Sequence, residues 1–347
     1  MKALVYKSTG QVALEEKAKP GIIAPTDAVI KITKTTICGT DLHILKGDVK
    51  EVAYGTTLGH EGIGIVEETG NAVSNFKKGD HVLISCITSC GKCEYCRKGM
   101  YSHCREGGWV LGHLIDGTQA EYVRIPYADT SLYHIPADTN DESLVMLSDI
   151  LPTGYECGVL NGQVQPGTTV AIVGAGPVGL AALTTAQFFT PAAIIMIDTD
   201  NNRLDVAKSM GATHAINSSQ ENVIEAVMAL TDYEGVDTAM EAVGIPATFE
   251  LCTQLIRPGG KVANIGVHGK SVSLAMEELW SKNITITTRL VDTCTTPMLL
   301  KTVSSKKLDP SAFITHRFTL SDIESAYKTF GNAAKEKALK VIINNEY

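Results

Sequence analysis

The chain has 347 residues, 44% hydrophobic and 20% charged, ordinary values for a globular protein with a full-sized core and long enough for two domains. Its formal net charge is −8, and no lysine or arginine run tracks a phosphate backbone, which argues against nucleic acid as a partner. Nine cysteines are too few for a disulfide scaffold in a chain of this length, and four of them are clustered, so a reducing cytoplasm fits.

The N-terminus, Met1 to Lys7, has no apolar stretch long enough for a signal peptide. Short Val/Ile/Thr runs separated by turn residues follow, at Ala28–Thr33, Gly62–Glu67, His81–Ile84 and Ala120–Ile125. They predict strands of an irregular β domain over residues 1–150. After Pro166 the texture changes to an alternation of strand-like and helix-like segments. Thr168–Val173, Ala193–Ile197, His214–Asn217, Val236–Met240, Lys261–Val267 and Asn283–Thr288 read as strands. Pro177–Phe189, Asn202–Ser209, Glu221–Leu230 and Pro246–Ile256 read as helices. That alternation predicts an α/β doubly wound parallel sheet over 151–292. The last stretch, 293–347, has a helix at Ser321–Phe330 and a strand at Ala338–Ile343, and is expected to pack back on the first domain. No charged residue occurs from Val164 to Ile197, but three prolines and four glycines break that segment. A buried strand-turn-helix-strand explains it better than a membrane span.

Cys90-Gly-Lys-Cys93-Glu-Tyr-Cys96, followed by Cys104, places four thiols where they can converge on one tetrahedral cation. A redox pair would use two cysteines and leave Cys96 and Cys104 without a role. A structural zinc is the better reading, although zinc lobes also stabilise proteins of other functions.

Gly174-Ala-Gly176-Pro177-Val178-Gly179 lies between a predicted strand and a predicted helix, the context in which a Gly-rich turn admits a dinucleotide pyrophosphate. Asp198 closes the next strand and can accept from the adenosine ribose hydroxyls. Its charge would repel a 2′-phosphate, so NAD is favoured over NADP, with Arg203 able to soften the penalty.

Cys38-Gly-Thr40-Asp-Leu-His43 and Gly59-His60-Glu61-Gly62 supply a thiol, two imidazoles, a hydroxyl and carboxylates. A zinc site for hydride transfer needs three protein ligands and an open position. Cys38 and His60 are natural ligands, and Asp149 is the best candidate for the third. Singly, each also fits a small buried residue, a packed loop histidine or a helix cap.

Taken in order, Cys38-Gly-Thr-Asp, Gly59-His-Glu-Gly-Ile-Gly-Ile-Val, the four-cysteine lobe and Gly174–Gly179 resemble the zinc-dependent medium-chain alcohol dehydrogenases, over the whole chain. The resemblance implies a GroES-like catalytic domain and a Rossmann coenzyme domain, with two zincs per chain. It also implies dimeric or, as expected here, tetrameric assembly. It makes Cys38, His60 and Asp149 the catalytic zinc ligands and Glu61 a carboxylate near the metal. Asp149 departs from the thiolate of the animal-type enzymes and is similar to the bacterial Cys-His-Asp set. Thr40 is then the proton acceptor, His43 its relay, and Lys340 a cation near the pyrophosphate, unless it is a plain surface lysine. The cofactor set is completed by Val267. Cys86 stands where animal enzymes carry an aromatic ring in the substrate pocket, and Trp109 is a second wall. The implied reaction converts a primary or secondary alcohol and NAD to aldehyde or ketone. A polyol or threonine dehydrogenase would favour a more polar pocket than Cys86, Trp109 and Leu111 suggest. A non-catalytic relative would show a broken ligand set.

Overall fold

Residues 1–136 and 139–345 are described by the computed structural model. The chain divides into two compact units, Met1–Asp149 with Asp292–Tyr347, and Ile150–Val291.

The first unit is built on a mostly antiparallel sheet. Its path runs Ile314–Thr319, Lys340–Asn344, Ala28–Thr36, Gly62–Thr69, His81–Ile84 and Leu132–His134, with Tyr122–Ile125 also paired to Ala28–Thr36. The strand expected at Ala120–Ile125 begins two residues later, because Ala120 is drawn into an isolated bridge with Ala3. The N-terminal residues form a hairpin, Lys2–Ser8 against Gln11–Glu16. Ile30, Ile32, Val66, Val82, Ile84 and Leu111 bury one side of the main sheet. A second core joins Leu4, Ile37, Ile44 and Leu58 to Ile323, Tyr327 and Phe330 of the helix Ile323–Gly331. That helix carries its apolar side chains at helical spacing, so one stripe is driven inward.

The second unit is a six-stranded, all-parallel sheet. Its order is His214–Asn217, Ala193–Asp198, Thr169–Val173, Val236–Glu241, Ile256–Asn264 and Thr285–Thr288. Helices Pro177–Ala186, Asn201–Ser209, Val223–Leu230 and Pro246–Leu255 alternate with the strands. The order reverses between Thr169–Val173 and Val236–Glu241, the switch point where open α/β sheets form a ligand crevice. The strand expected at Lys261–Val267 starts earlier, at Ile256, and ends at Asn264. Beyond it the chain turns: the Glu241 carbonyl accepts from the amides of Ile265 and Gly266. Val267 is left in the following loop, 57% exposed. The helix expected at Pro177–Phe189 tightens to a 3₁₀ turn over its last residues, Gln187–Phe189.

Candidate active site and metal centres

Cys38 is the N-cap of the helix Gly39–Lys46, which follows directly on the strand Ala28–Thr36. His60 and Glu61 lead into the strand Gly62–Thr69, and Asp149 closes the first stretch of the same unit. Three separated segments thus bring three donors together, all within 4.8 Å of one another. Cys38 Sγ lies 3.6 Å and His60 Nε2 3.2 Å from the same Asp149 oxygen, Oδ2. Zn–S and Zn–N/O bonds of about 2.3 and 2.0–2.1 Å at tetrahedral angles put donor atoms roughly 3.3–3.6 Å apart. The observed separations match the edges of such a tetrahedron.

The electrostatics agree with a site built for a cation. Burial and the neighbouring Glu61 push the Cys38 thiol up. Burial alone would lower His60, but hydrogen bonds to Asp149 and Cys38 overcome it and raise the imidazole well above its usual value. Two buried carboxylate oxygens, Oε1 of Glu61 and Oδ1 of Asp41, have no hydrogen-bond partner. A divalent ion held by Cys38, His60 and Asp149 would offset the buried negative charge gathered there.

Cys90, Cys93, Cys96 and Cys104 form the second donor cluster. Cys93 and Cys96 Sγ are 3.5 Å apart, and the Cys90 amide donates to Cys104 Sγ at 3.2 Å. The backbone amides of Cys96 and Arg105 pull Cys93 down to about 6. Burial and the adjacent thiols of Cys93 and Cys104 push Cys96 up to about 12. Crowded thiols can all ionise only around a cation, and four thiolates with no other donor describe a closed structural zinc.

Thr40 Oγ1 sits 3.7 Å from Cys38 Sγ, in the first turn of its helix. His43 lies in the last turn, where Nδ1 is hydrogen-bonded to Asp48 Oδ2 at 2.8 Å, an orienting partner not read from the sequence. Trp109 meets the His60 ring edge to face at 6.4 Å and stacks on His113 at 4.2 Å. Cys86 is buried, and its amide donates to the carbonyl of Ser148, next to Asp149.

Lys340 requires a correction. It is no surface lysine, being 1% exposed, and its ammonium turns inward. Nζ donates to Glu61 Oε2 at 2.5 Å and to the Ile37 carbonyl at 3.2 Å. Burial alone would lower this amine, yet Glu61, Cys38 and Asp149 together raise it, so the charge stays. The cation expected near the pyrophosphate is thus a buried one, partnered by Glu61 beside the metal ligands.

In the second unit, Gly174 adopts φ +106°, a conformation side chains rarely enter, and a Cβ on Gly179 would lie 1.8 Å from the Gly174 carbonyl. Above Gly176 there is open space, with Arg203 Nη1 3.9 Å from where a Cβ would stand. Pro177 opens the helix at its first turn, its fixed φ suited to that position. A bare glycine turn at a helix N-terminus, with a guanidinium nearby, fits a pyrophosphate. Asp198 Oδ2 accepts from the Ala175 amide at 2.7 Å and Oδ1 from the Asp200 amide at 2.9 Å. The carboxylate thus also ties the glycine turn to the strand end, a role the sequence did not reveal.

A parallel doubly wound sheet, a β-rich unit, a three-donor metal set and a four-thiolate lobe define a zinc-binding dehydrogenase. Residues 24–137 match the alcohol dehydrogenase GroES-like domain and residues 177–305 the zinc-binding dehydrogenase domain. The solved apo structure of zinc dependent alcohol dehydrogenase 2 from Streptococcus pneumonia is 58% identical, with TM-score 0.96 over 100% of this chain and 99% of that one. Alcohol dehydrogenase TADH from Thermus sp. ATN1 is 34% identical, with TM-score 0.92 over 100% of both chains. An alcohol dehydrogenase of Cupriavidus necator is 35% identical over 371 residues, 99% of this chain and 98% of the relative. The chain belongs to the zinc-dependent medium-chain alcohol dehydrogenases, and it is a hydride-transfer oxidoreductase. Among the described residues no helix is long and apolar enough to cross a membrane.

Proposed function

We propose that the protein oxidises a primary or secondary alcohol to the aldehyde or ketone with NAD, and runs the reverse reduction, using one catalytic and one structural zinc per chain. The observation that carries this reading is the tetrahedral spacing of Cys38, His60 and Asp149 donors. Zinc supplies Lewis acidity that lowers the pKa of a coordinated hydroxyl, and the nicotinamide supplies the hydride acceptor.

The chain's own groups do the rest. Thr40 Oγ1, beside the ligand thiol, accepts the substrate proton and releases its own. His43, held by Asp48 through Nδ1, presents Nε2 as the exit for that proton to solvent. One thiolate and one carboxylate neutralise a divalent ion, while Glu61 is held in place by Lys340. Gly174, Gly176, Pro177, Val178 and Gly179 receive the pyrophosphate, with Arg203 as its countercharge and Val267 in the loop on the cofactor side. Asp198 disfavours a 2′-phosphate and selects NAD. Cys86 and Trp109 give an apolar substrate wall, which favours simple alcohols over polyols.

The grouping of Cys90, Cys93, Cys96 and Cys104 as metal donors rather than disulfides supports a reducing, cytoplasmic setting. Homotetrameric assembly is also proposed, from the family. Initial rates over a panel of alcohols, polyols and threonine, with NAD and NADP and with zinc content measured, test the whole reading. Turnover only of polyols, or only with NADP, would overturn it in that part.

A further inference from the structure

Gln119 is fully buried where two ligand-bearing segments cross. Its Nε2 donates to the Thr36 carbonyl at 3.1 Å and to Asp41 Oδ2 at 3.0 Å, residues that flank Cys38 on either side. The same Asp41 oxygen accepts from the Cys38 amide at 2.9 Å. On the other side Gln119 abuts the segment that carries His60. A Cβ on Gly59 would come within 2.6 Å of Gln119 Cγ, and the Gln119 amide donates to the Leu58 carbonyl at 2.9 Å.

A carboxamide can face either way, and only one orientation serves here. Thr36 and Asp41 are acceptors and need the NH₂ group. The opposite end, Oε1, accepts from the hydroxyl of Tyr327 at 2.8 Å. Tyr327 lies on the helix Ile323–Gly331, far along the chain, and is itself 6% exposed. The two acceptors exclude the flip, which would turn Oε1 toward both of them, and the Tyr327 hydroxyl completes the arrangement by donating to Oε1.

We propose that Tyr327 and Gln119 are positioning residues for the catalytic metal: they lock Asp41 and the backbone around Cys38 and His60, so that the donors are pre-set at metal spacing. This inference rests on the reading of Cys38, His60 and Asp149 as zinc ligands. Neither residue belongs to the three-donor set. Partners of this outer kind typically govern metal affinity by about 10–100-fold.

The test is zinc retention in the purified holoenzyme, followed as release to excess chelator. Tyr327→Phe removes one oxygen and keeps the ring in the core. Gln119→Met keeps the length and removes the amide. In both, one zinc should be held about 10–100-fold less tightly, while the zinc of the four-cysteine lobe is released as in wild type. Retention of that lobe's zinc also reports that the variant is folded. Equal retention of both zincs in variants and wild type overturns the inference, as does equal loosening of both. An Asp149→Asn variant that holds both zincs as tightly as wild type overturns the ligand reading itself, a distinguishable failure.

Discussion

Lys340 Nζ and Glu61 Oε2 lie 2.5 Å apart, each side chain only 1% exposed, at the back of the three-donor site. The pair joins the strand Lys340–Asn344 of the returning C-terminal segment to the loop that carries His60. Lys340→Met leaves a carboxylate buried without its counterion, which typically costs 3–5 kcal/mol. Thermal or denaturant unfolding should show roughly that loss. Glu61→Gln added to it should recover part, since the orphaned charge is then gone. A single variant that loses less than about 1 kcal/mol would show that the pair is solvated.

The two donor clusters should separate by job. Cys96→Ser should lower zinc content from two to one per chain and reduce stability, because that lobe has no catalytic group. Asp149→Asn should abolish turnover while the four-thiolate zinc stays. Wild-type protein that is fully active with one zinc per chain would exclude this division.

Asp198 carries both a charge and two backbone hydrogen bonds. Asp198→Asn removes the charge and keeps an acceptor, so the glycine turn should survive. The preference for NAD over NADP, read as the ratio of kcat/KM values, should narrow roughly tenfold. An unchanged ratio would mean that another group makes the choice.

Cys86 is 2% exposed, so a ring there has little spare room. Cys86→Phe should depress kcat/KM for 2-propanol or 2-butanol by roughly tenfold or more, consistent with an overpacking cost of about 1–3 kcal/mol. Ethanol, lacking a second carbon substituent, should suffer much less. A secondary-to-primary ratio that stays constant in folded, two-zinc protein would remove Cys86 from the pocket.

His81 is held below its usual imidazole value mainly by burial, with Lys34 acting in the same sense and Asp141 against it. The unfolded chain therefore takes up the proton first. Stability is fully present above the unfolded value of about 6.5 and is lost as pH falls from there through the folded value. His81→Gln should flatten the decline in Tm between neutral and mildly acidic pH. A variant with an unaltered Tm–pH slope would show that His81 is not linked to folding.

Much of the site is legible in the sequence because its chemistry is local. Cys90, Cys93 and Cys96 share one short loop, Gly174–Gly179 one turn, and Cys38, Thr40, Asp41 and His43 one short helix with its cap. Short spacing limits where such groups can point, and few functions need those types together. The alternation of strands and helices in Ile150–Val291 is visible for the same reason, since each element's periodicity is carried by its own residues. Asp198 was readable as a carboxylate at a strand end, but its grip on Ala175 and Asp200 was not.

Tertiary structure alone decided what lies beyond local reach. Nothing near Lys340 in the chain shows that its ammonium turns inward to Glu61, 279 residues away in sequence. Nor does any motif mark Gln119 or Tyr327. Their importance comes from hydrogen bonds between segments 208 residues apart, formed only when the C-terminal helix packs against the ligand loops. The sequence determined which groups could bind metal and cofactor. Burial decided which polar groups must find partners, because an unpaired charge or amide in a dry core is too costly to leave, and that accounting is a property of the folded whole.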